Sequence, residues 1–216
     1  MKFLFLTLLL TQLASAKVLV VTDSHGEGAF GTRLVELFEK KGEEISFYGV
    51  GGSTSKDWML GLEQIWGYWE YHTGGANIRS QKPKTPEFKN LLTKLFPHKV
   101  VIELGTNLIW RDLSAEDTKF IQDMIRLASE FKAECFWVGP PDLRPKSSEQ
   151  KRRVLEIHEL LKKEVEASGC QLIKSWELTQ FPATGGDGIH YDSIPDLGET
   201  LARKWAESIF SKLTPQ

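Results

Sequence analysis

The chain has 216 residues, with 27 Lys and Arg against 29 Asp and Glu, a formal net charge of -2, and 41% hydrophobic and 26% charged residues. This ordinary globular balance argues against disordered, collagen-like and coiled-coil classes. The near-cancelling charge, with no basic block, argues against a dedicated nucleic-acid binder.

Residues 1–16 read MKFLFLTLLLTQLASA: one basic residue, Lys2, then an apolar run, then Ala14, Ser15 and Ala16. This is the pattern of a secretory signal peptide cut after Ala16. The apolar run is shorter than the ~20 residues that cross a bilayer. The expected product is a single domain, residues 17–216, secreted or periplasmic and without a stable membrane anchor. Export puts Cys135 and Cys170 in an oxidising setting. Each opens a predicted strand. A disulfide and two buried free thiols both fit, and the plainer expectation is two free thiols.

Residues 17–22 (KVLVVT) form an apolar run without alternation, as in a strand buried on both faces. Phe30, Leu34, Leu37 and Phe38 follow at helical spacing, with Gly42 as a stop. Residues 45–50 form a second strand. The segment 67–84, rich in Gly, polar and aromatic residues, is irregular. Thr85-Pro86 predicts a helix start running through Phe96, with Thr as cap. Residues 98–104 form a third strand. Ser114 and Asp117 resemble a capping box, opening a helix to about Phe131. Residues 135–138 form a fourth strand, ending at Gly139-Pro140-Pro141. Ser147 and Gln150 open another helix, with Val154, Ile157, Leu161 and Val165 on one stripe. Residues 171–174 are a fifth strand, and 194–213 a closing helix. This alternation predicts an α/β fold: a three-layer α/β/α sandwich around a five-stranded parallel sheet.

In such sheets the ligand crevice lies beyond the carboxyl ends of the strands. There the sequence places Thr22-Asp23-Ser24-His25 after the first strand, Gly51-Gly52-Ser53 after the second and Gly105-Thr106-Asn107 after the third. A late loop carries Asp187-Gly188-Ile189-His190. A hydroxyl, a glycine turn, a side-chain amide and an acid–imidazole pair are the parts that acyl transfer needs.

In this order the four segments resemble the four blocks of the SGNH hydrolases, the GDSL-type esterases and lipases. Trp137–Pro141 also resembles the ending of that family's fourth strand. The resemblance implies a flavodoxin-like SGNH hydrolase fold, carboxylic-ester hydrolysis and no cofactor. It departs from the family at Thr22, where Gly is usual, at His25, where Leu is usual, and at Leu108, where an Asp often follows the asparagine. His25 either reaches the substrate or faces solvent, and solvent is the plainer expectation.

Ser24 is the expected nucleophile. Of the five histidines, His98 starts a strand at the wrong end and His158 sits in a helix expected to be largely surface. Only His190 has an acid, Asp187, one turn earlier, so it is the expected base. The oxyanion donors are expected to be the Ser24 N–H, the Gly52 N–H and the Asn107 amide, with Gly51 the alternative if the turn is offset by one. No metal is implied, since no His, Asp and Glu cluster has ligand spacing. Trp58, Trp66, Trp69 and Tyr71 are candidate substrate contacts, since aromatic faces suit sugar rings; the plainer expectation is that these aromatics pack the loop against the body. The expected partner is an ester substrate, foremost an acetylated polysaccharide or peptidoglycan. An acyltransferase with the same triad, a lipid esterase or lysophospholipase, and a non-catalytic carbohydrate-binding module are the alternatives.

Overall fold

The computed structural model describes residues 17–81 and 84–215. The expected signal peptide lies outside the described residues. Among the described residues, no helix is long and apolar enough to cross a membrane.

Strand β1 (Lys17–Thr22) is the centre of a seven-stranded sheet. Its neighbours are β2 (Glu44–Val50) and β5 (Lys99–Glu103), both parallel to it. Beyond β5 run β6 (Glu134–Val138) and β7 (Gln171–Ile173), also parallel. These are the five expected strands, in the order β2-β1-β5-β6-β7, the flavodoxin-like arrangement. The expectation of five strands is corrected to seven. The segment expected to be irregular folds into an antiparallel hairpin, β3 (Tyr68–His72) and β4 (Asn77–Ser80), which pairs with β2 and extends that edge.

Alternate residues of β1 enter different layers. Val18 and Val20 pack against α1 (Ala29–Lys40) and the closing helix α7 (Gly198–Leu213), through Phe30, Leu34, Trp205 and Ile209. Leu19 and Val21 pack against α2 (Ser55–Leu60), α3 (Phe88–Leu95), α4 (Ala115–Glu130) and α5 (Ser148–Glu166). Covering both faces is why β1 reads as a continuous apolar run.

Both predicted helix starts at serine are present. Ser114 Oγ accepts from the Asp117 N–H (3.3 Å) while Asp117 Oδ2 accepts from the Ser114 N–H (2.9 Å), and Ser147 Oγ accepts from the Gln150 N–H (3.1 Å). Helix α3 starts at Phe88 rather than at Pro86. The Thr85 N–H is already committed to the Leu62 carbonyl (2.9 Å), which holds Thr85-Pro86 against the preceding loop. The closing helix begins at Gly198, after a 3-10 turn over Tyr191–Ser193.

The cysteines also differ from the expectation of free thiols. Phe136 and Gln171 are register partners on β6 and β7, so the residues one step earlier face each other. Cys135 and Cys170 form a disulfide there, with Cα atoms 4.7 Å apart. A closed loop spanning 35 positions corresponds to about 3–4 kcal/mol of loop entropy removed from the unfolded chain. The Cys135→Ala, Cys170→Ala double variant should unfold at lower urea concentration by that margin. The parent protein treated with a thiol reductant should match it, and an unchanged midpoint in both would mean that the bridge does not constrain the unfolded chain.

Candidate active site

Thr22 is paired with Gly49 on one side and Glu103 on the other, so β1, β2 and β5 end side by side. The three segments that follow them therefore emerge at one edge of the sheet. Ser24 opens a 3-10 turn directly after β1 (Ser24–Glu27). Asn107 lies on another after β5 (Thr106–Trp110).

His190 reaches this edge from the loop before α7. Its Nε2 is 2.9 Å from Ser24 Oγ, and its Nδ1 is 2.6 Å from Asp187 Oδ2. Asp187 Oδ1 accepts from the N–H groups of Ile189 and His190, each at 2.8 Å. Against the desolvation of partial burial, the His190 ring and these N–H groups hold the Asp187 carboxyl well below the usual carboxylate range. The acid stays charged and fixes the imidazole with Nδ1–H toward it, leaving Nε2 for the serine.

The glycine turn separates Gly51 from Gly52. The Gly51 N–H donates to the Gly67 carbonyl (2.9 Å) and lies within reach of the Glu27 carboxylate. No partner engages the Gly52 N–H among the described residues. Gly52 has φ +78°, a left-handed conformation that a side chain would strain. Asn107 Nδ2 donates one proton to the Ser53 carbonyl (3.0 Å), tying the amide to the same turn and leaving its second proton free.

Two of the family departures have a local explanation. Thr22 is fully buried and its Oγ1 donates to the Asp23 carbonyl (3.2 Å). A Cβ at position 26 would come 1.7 Å from that Oγ1, so Gly26 makes the room Thr22 needs. His25 corrects the expectation of a solvent-facing side chain: it is buried. Its ring packs edge-on to Trp205 at 5.2 Å and lies 5.4 Å from the His190 ring. Burial, with the nearby His190 adding to it, pushes His25 down to about 3, so it is a neutral imidazole at the foot of the site. His158 is likewise not a free surface group: it stacks on Trp176 at 3.9 Å.

The four aromatic candidates divide. Trp58 is fully buried and donates from Nε1 to Ser53 Oγ (3.1 Å), so it braces the glycine turn from inside the core. Trp69 is buried against Phe47 and donates to Asn77 Oδ1 (2.9 Å). The Tyr71 hydroxyl donates to Glu39. These three are engaged with the protein itself, as the packing alternative expects, and are not open substrate contacts. Trp66 alone is open, at 62% exposure, and its ring covers Gly52: a Cβ there would come 2.5 Å from Trp66 Cδ1.

Three further residues at the site escape the sequence reading. Trp110, exposed at 57%, ends the Asn107 turn and flanks Asp187 and Ile189. It lies three positions past Asn107, a single aromatic with no pattern around it. Arg144 holds the loop that leads to His190, with Nη1 donating to the Pro182 carbonyl (2.9 Å) and Nη2 to the Gly185 carbonyl (2.6 Å). Glu27 lines the cleft with Ser24 and His190. Desolvation pushes its carboxyl up to about 7, although Arg79 opposes the shift.

Under the nucleophile lies an acid pair with no exposure to solvent, Asp23 and Glu103. The Asp23 N–H donates to the Glu103 carbonyl (3.2 Å), and Asp23 Oδ1 accepts from the His25 N–H (3.1 Å). Asp23 Oδ2 and both Glu103 carboxyl oxygens have no conventional donor among the described residues. Two carboxyls away from water cannot both ionise, so they share a proton. Burial pushes Asp23 up to about 6. Burial, reinforced by the Asp23 charge, pushes Glu103 well above the carboxylate range. Both carboxyls are thus raised, Glu103 the more strongly.

Acids raised in this way bind more protons folded than unfolded, so their contribution to stability falls as pH rises above the ordinary carboxylate range. Glu103→Gln supplies a permanent N–H donor in place of the proton. Thermal unfolding should show the variant gaining on the parent between about pH 5 and about pH 8. A difference that does not change with pH would show that no proton is shared.

No protein-family model matches the chain. Protein BcsX of Komagataeibacter xylinus is 24% identical over 219 residues, covering 94% of this chain and 79% of that protein. Among solved structures, the acetyl xylan esterase AlAXEase superposes with a TM-score of 0.63 at 18% identity, over 92% of this chain and all of that one. TesA superposes with a TM-score of 0.64 at 17% identity, over 92% of this chain and 98% of that one. The chain shares the fold of these structures.

Proposed function

We propose that this chain is a secreted serine esterase that removes acyl groups, foremost acetyl, from carbohydrate or cell-wall glycan. The observation that carries the reading is the unbroken row Asp187–His190–Ser24, with contacts of 2.6 and 2.9 Å. Ser24 Oγ attacks the ester carbonyl carbon as its proton passes to His190 Nε2. The oxyanion is held by the N–H groups of Ser24 and Gly52 and by the Asn107 amide. The bond to the alcohol breaks as His190 returns the proton to the leaving oxygen. Water then attacks the acyl-serine, His190 takes its proton, and the carboxylic acid leaves with Ser24 restored. Export is supported by the pattern of residues 1–16 and by the disulfide, which belongs to an oxidising compartment. The glycan reading is supported by the exposed Trp66 beside the turn and by the acetyl xylan esterase among structures of the same fold.

The test is hydrolysis of p-nitrophenyl acetate by residues 17–216. Ser24→Ala should lower kcat/KM by at least about 10³-fold, and Asp187→Asn by about 10²–10⁴-fold. Equal rates for the parent and Ser24→Ala would remove the catalytic claim. Acetate release from acetylated polysaccharides, with and without a sugar acceptor, separates hydrolysis from transfer.

A further inference from the structure

The cleft at the catalytic row contains an acid that the ester chemistry does not use. Glu27 lies three residues past Ser24, and its carboxylate occupies a position built for it. A Cβ on Gly51 would come 2.6 Å from Glu27 Oε1, and one on Gly67 would come 1.8 Å from Oε2. Only glycine at both positions leaves that space. Arg79 Nη1, on β4, donates to the Glu27 carbonyl oxygen (2.8 Å) and fixes the backbone beneath the side chain. Among the described residues no side chain donates a hydrogen bond to the Glu27 carboxylate.

The cleft has a volume of about 280 Å³. Its lining is polar at Ser24, Glu27, His190 and Asp192 and apolar at Trp205, Phe30 and Ala202. Gly52 and Asn107, the proposed oxyanion donors, are not among its walls. This separation assigns the two halves of an ester. The carbonyl oxygen turns toward the donors, while the leaving oxygen must come within hydrogen-bond reach of His190 Nε2 to take its proton. The alcohol half therefore falls on the His190 side, where the cleft opens.

We propose that this cleft is the alcohol subsite and that Glu27 accepts hydrogen bonds from hydroxyls next to the esterified oxygen, so that the site selects esters of polyhydroxylated alcohols over esters of alkyl or aryl alcohols. The proposal rests on the esterase reading and adds a substrate class to it. A volume just below the ~300–1,000 Å³ of ordinary small-molecule sites suits about one sugar ring. Hydroxyls donating to a carboxylate form charge-assisted bonds. An alcohol without them leaves the partly desolvated carboxylate with only the Gly51 N–H for a partner, a situation in which polar sites discriminate strongly. The apolar part of the lining, Trp205, Phe30 and Ala202, suits the C–H surface of a ring.

The experiment compares acetylated methyl xyloside with p-nitrophenyl acetate for the parent, Glu27→Gln and Glu27→Asp. The ratio of kcat/KM for the sugar ester to that for the aryl ester should fall about tenfold or more in both variants. Free methyl xyloside should inhibit the parent and lose that inhibition in the variants. Proportional losses on both esters would mean that Glu27 only supports the glycine turn, and an unchanged ratio would mean that it does not read the alcohol; either overturns the proposal. Should the parent hydrolyse neither ester, the esterase reading fails separately. Calorimetry of methyl xyloside with the Ser24→Ala chain then decides the subsite: binding that Glu27→Gln weakens supports it, and no binding overturns it.

Discussion

The register of the central strand is the constraint on which the site depends. Thr22 stands opposite both Gly49 and Glu103, so three parallel strands end at one level. A shift of one residue would reverse the faces of β1, exposing Val18 and Val20 to the wrong layer. It would also move Ser24 away from His190, which arrives from a distant loop. The packing of two apolar layers thus sets a distance of 2.9 Å between atoms 166 positions apart in sequence.

The same junction holds an unusual concentration of buried polar groups. Thr22, Asp23, His25, Glu103 and Thr106 lie together below the nucleophile, almost without solvent contact. Such groups are costly to bury unless they are paired. Here the pairing is partly through one proton between Asp23 and Glu103, and partly through backbone groups of the turn. The cost falls on stability, and the return is a serine turn with few alternative conformations. The neutral His25 belongs to the same cluster: a positive charge there, 5.4 Å from the His190 ring, would be buried without a partner for its Nε2.

Much of this was legible in the sequence because the signals were local. Residues 17–22 announce a doubly covered strand, and the Ser114 and Ser147 caps start helices where their spacing says they should. The four segments at the strand ends could be ordered without coordinates, and the structure brings Ser24, His190 and Asp187 into one row. The hairpin β3–β4 was less visible, since its strands are short and aromatic-rich rather than alternating, although Gly74-Gly75 between them is a turn signal. Burial at the site was not visible at all. His25 and Trp58 look available when only the chain is read, yet tertiary packing against Trp205 and Ser53 encloses them. Glu27 carries no motif, and its meaning depends on two glycines, one of them 40 positions away.

The grip of Arg144 on the loop that carries His190 has an evolutionary corollary. Its hydrogen bonds go to the main-chain oxygens of Pro182, Gly185 and Gly186, and its side-chain contact is the Phe181 ring, 5.3 Å away. Ala183 and Thr184, exposed between these anchors, are therefore free to drift without disturbing His190. A lineage could diversify the rim of its catalytic mouth through those two positions while the reacting atoms keep their alignment.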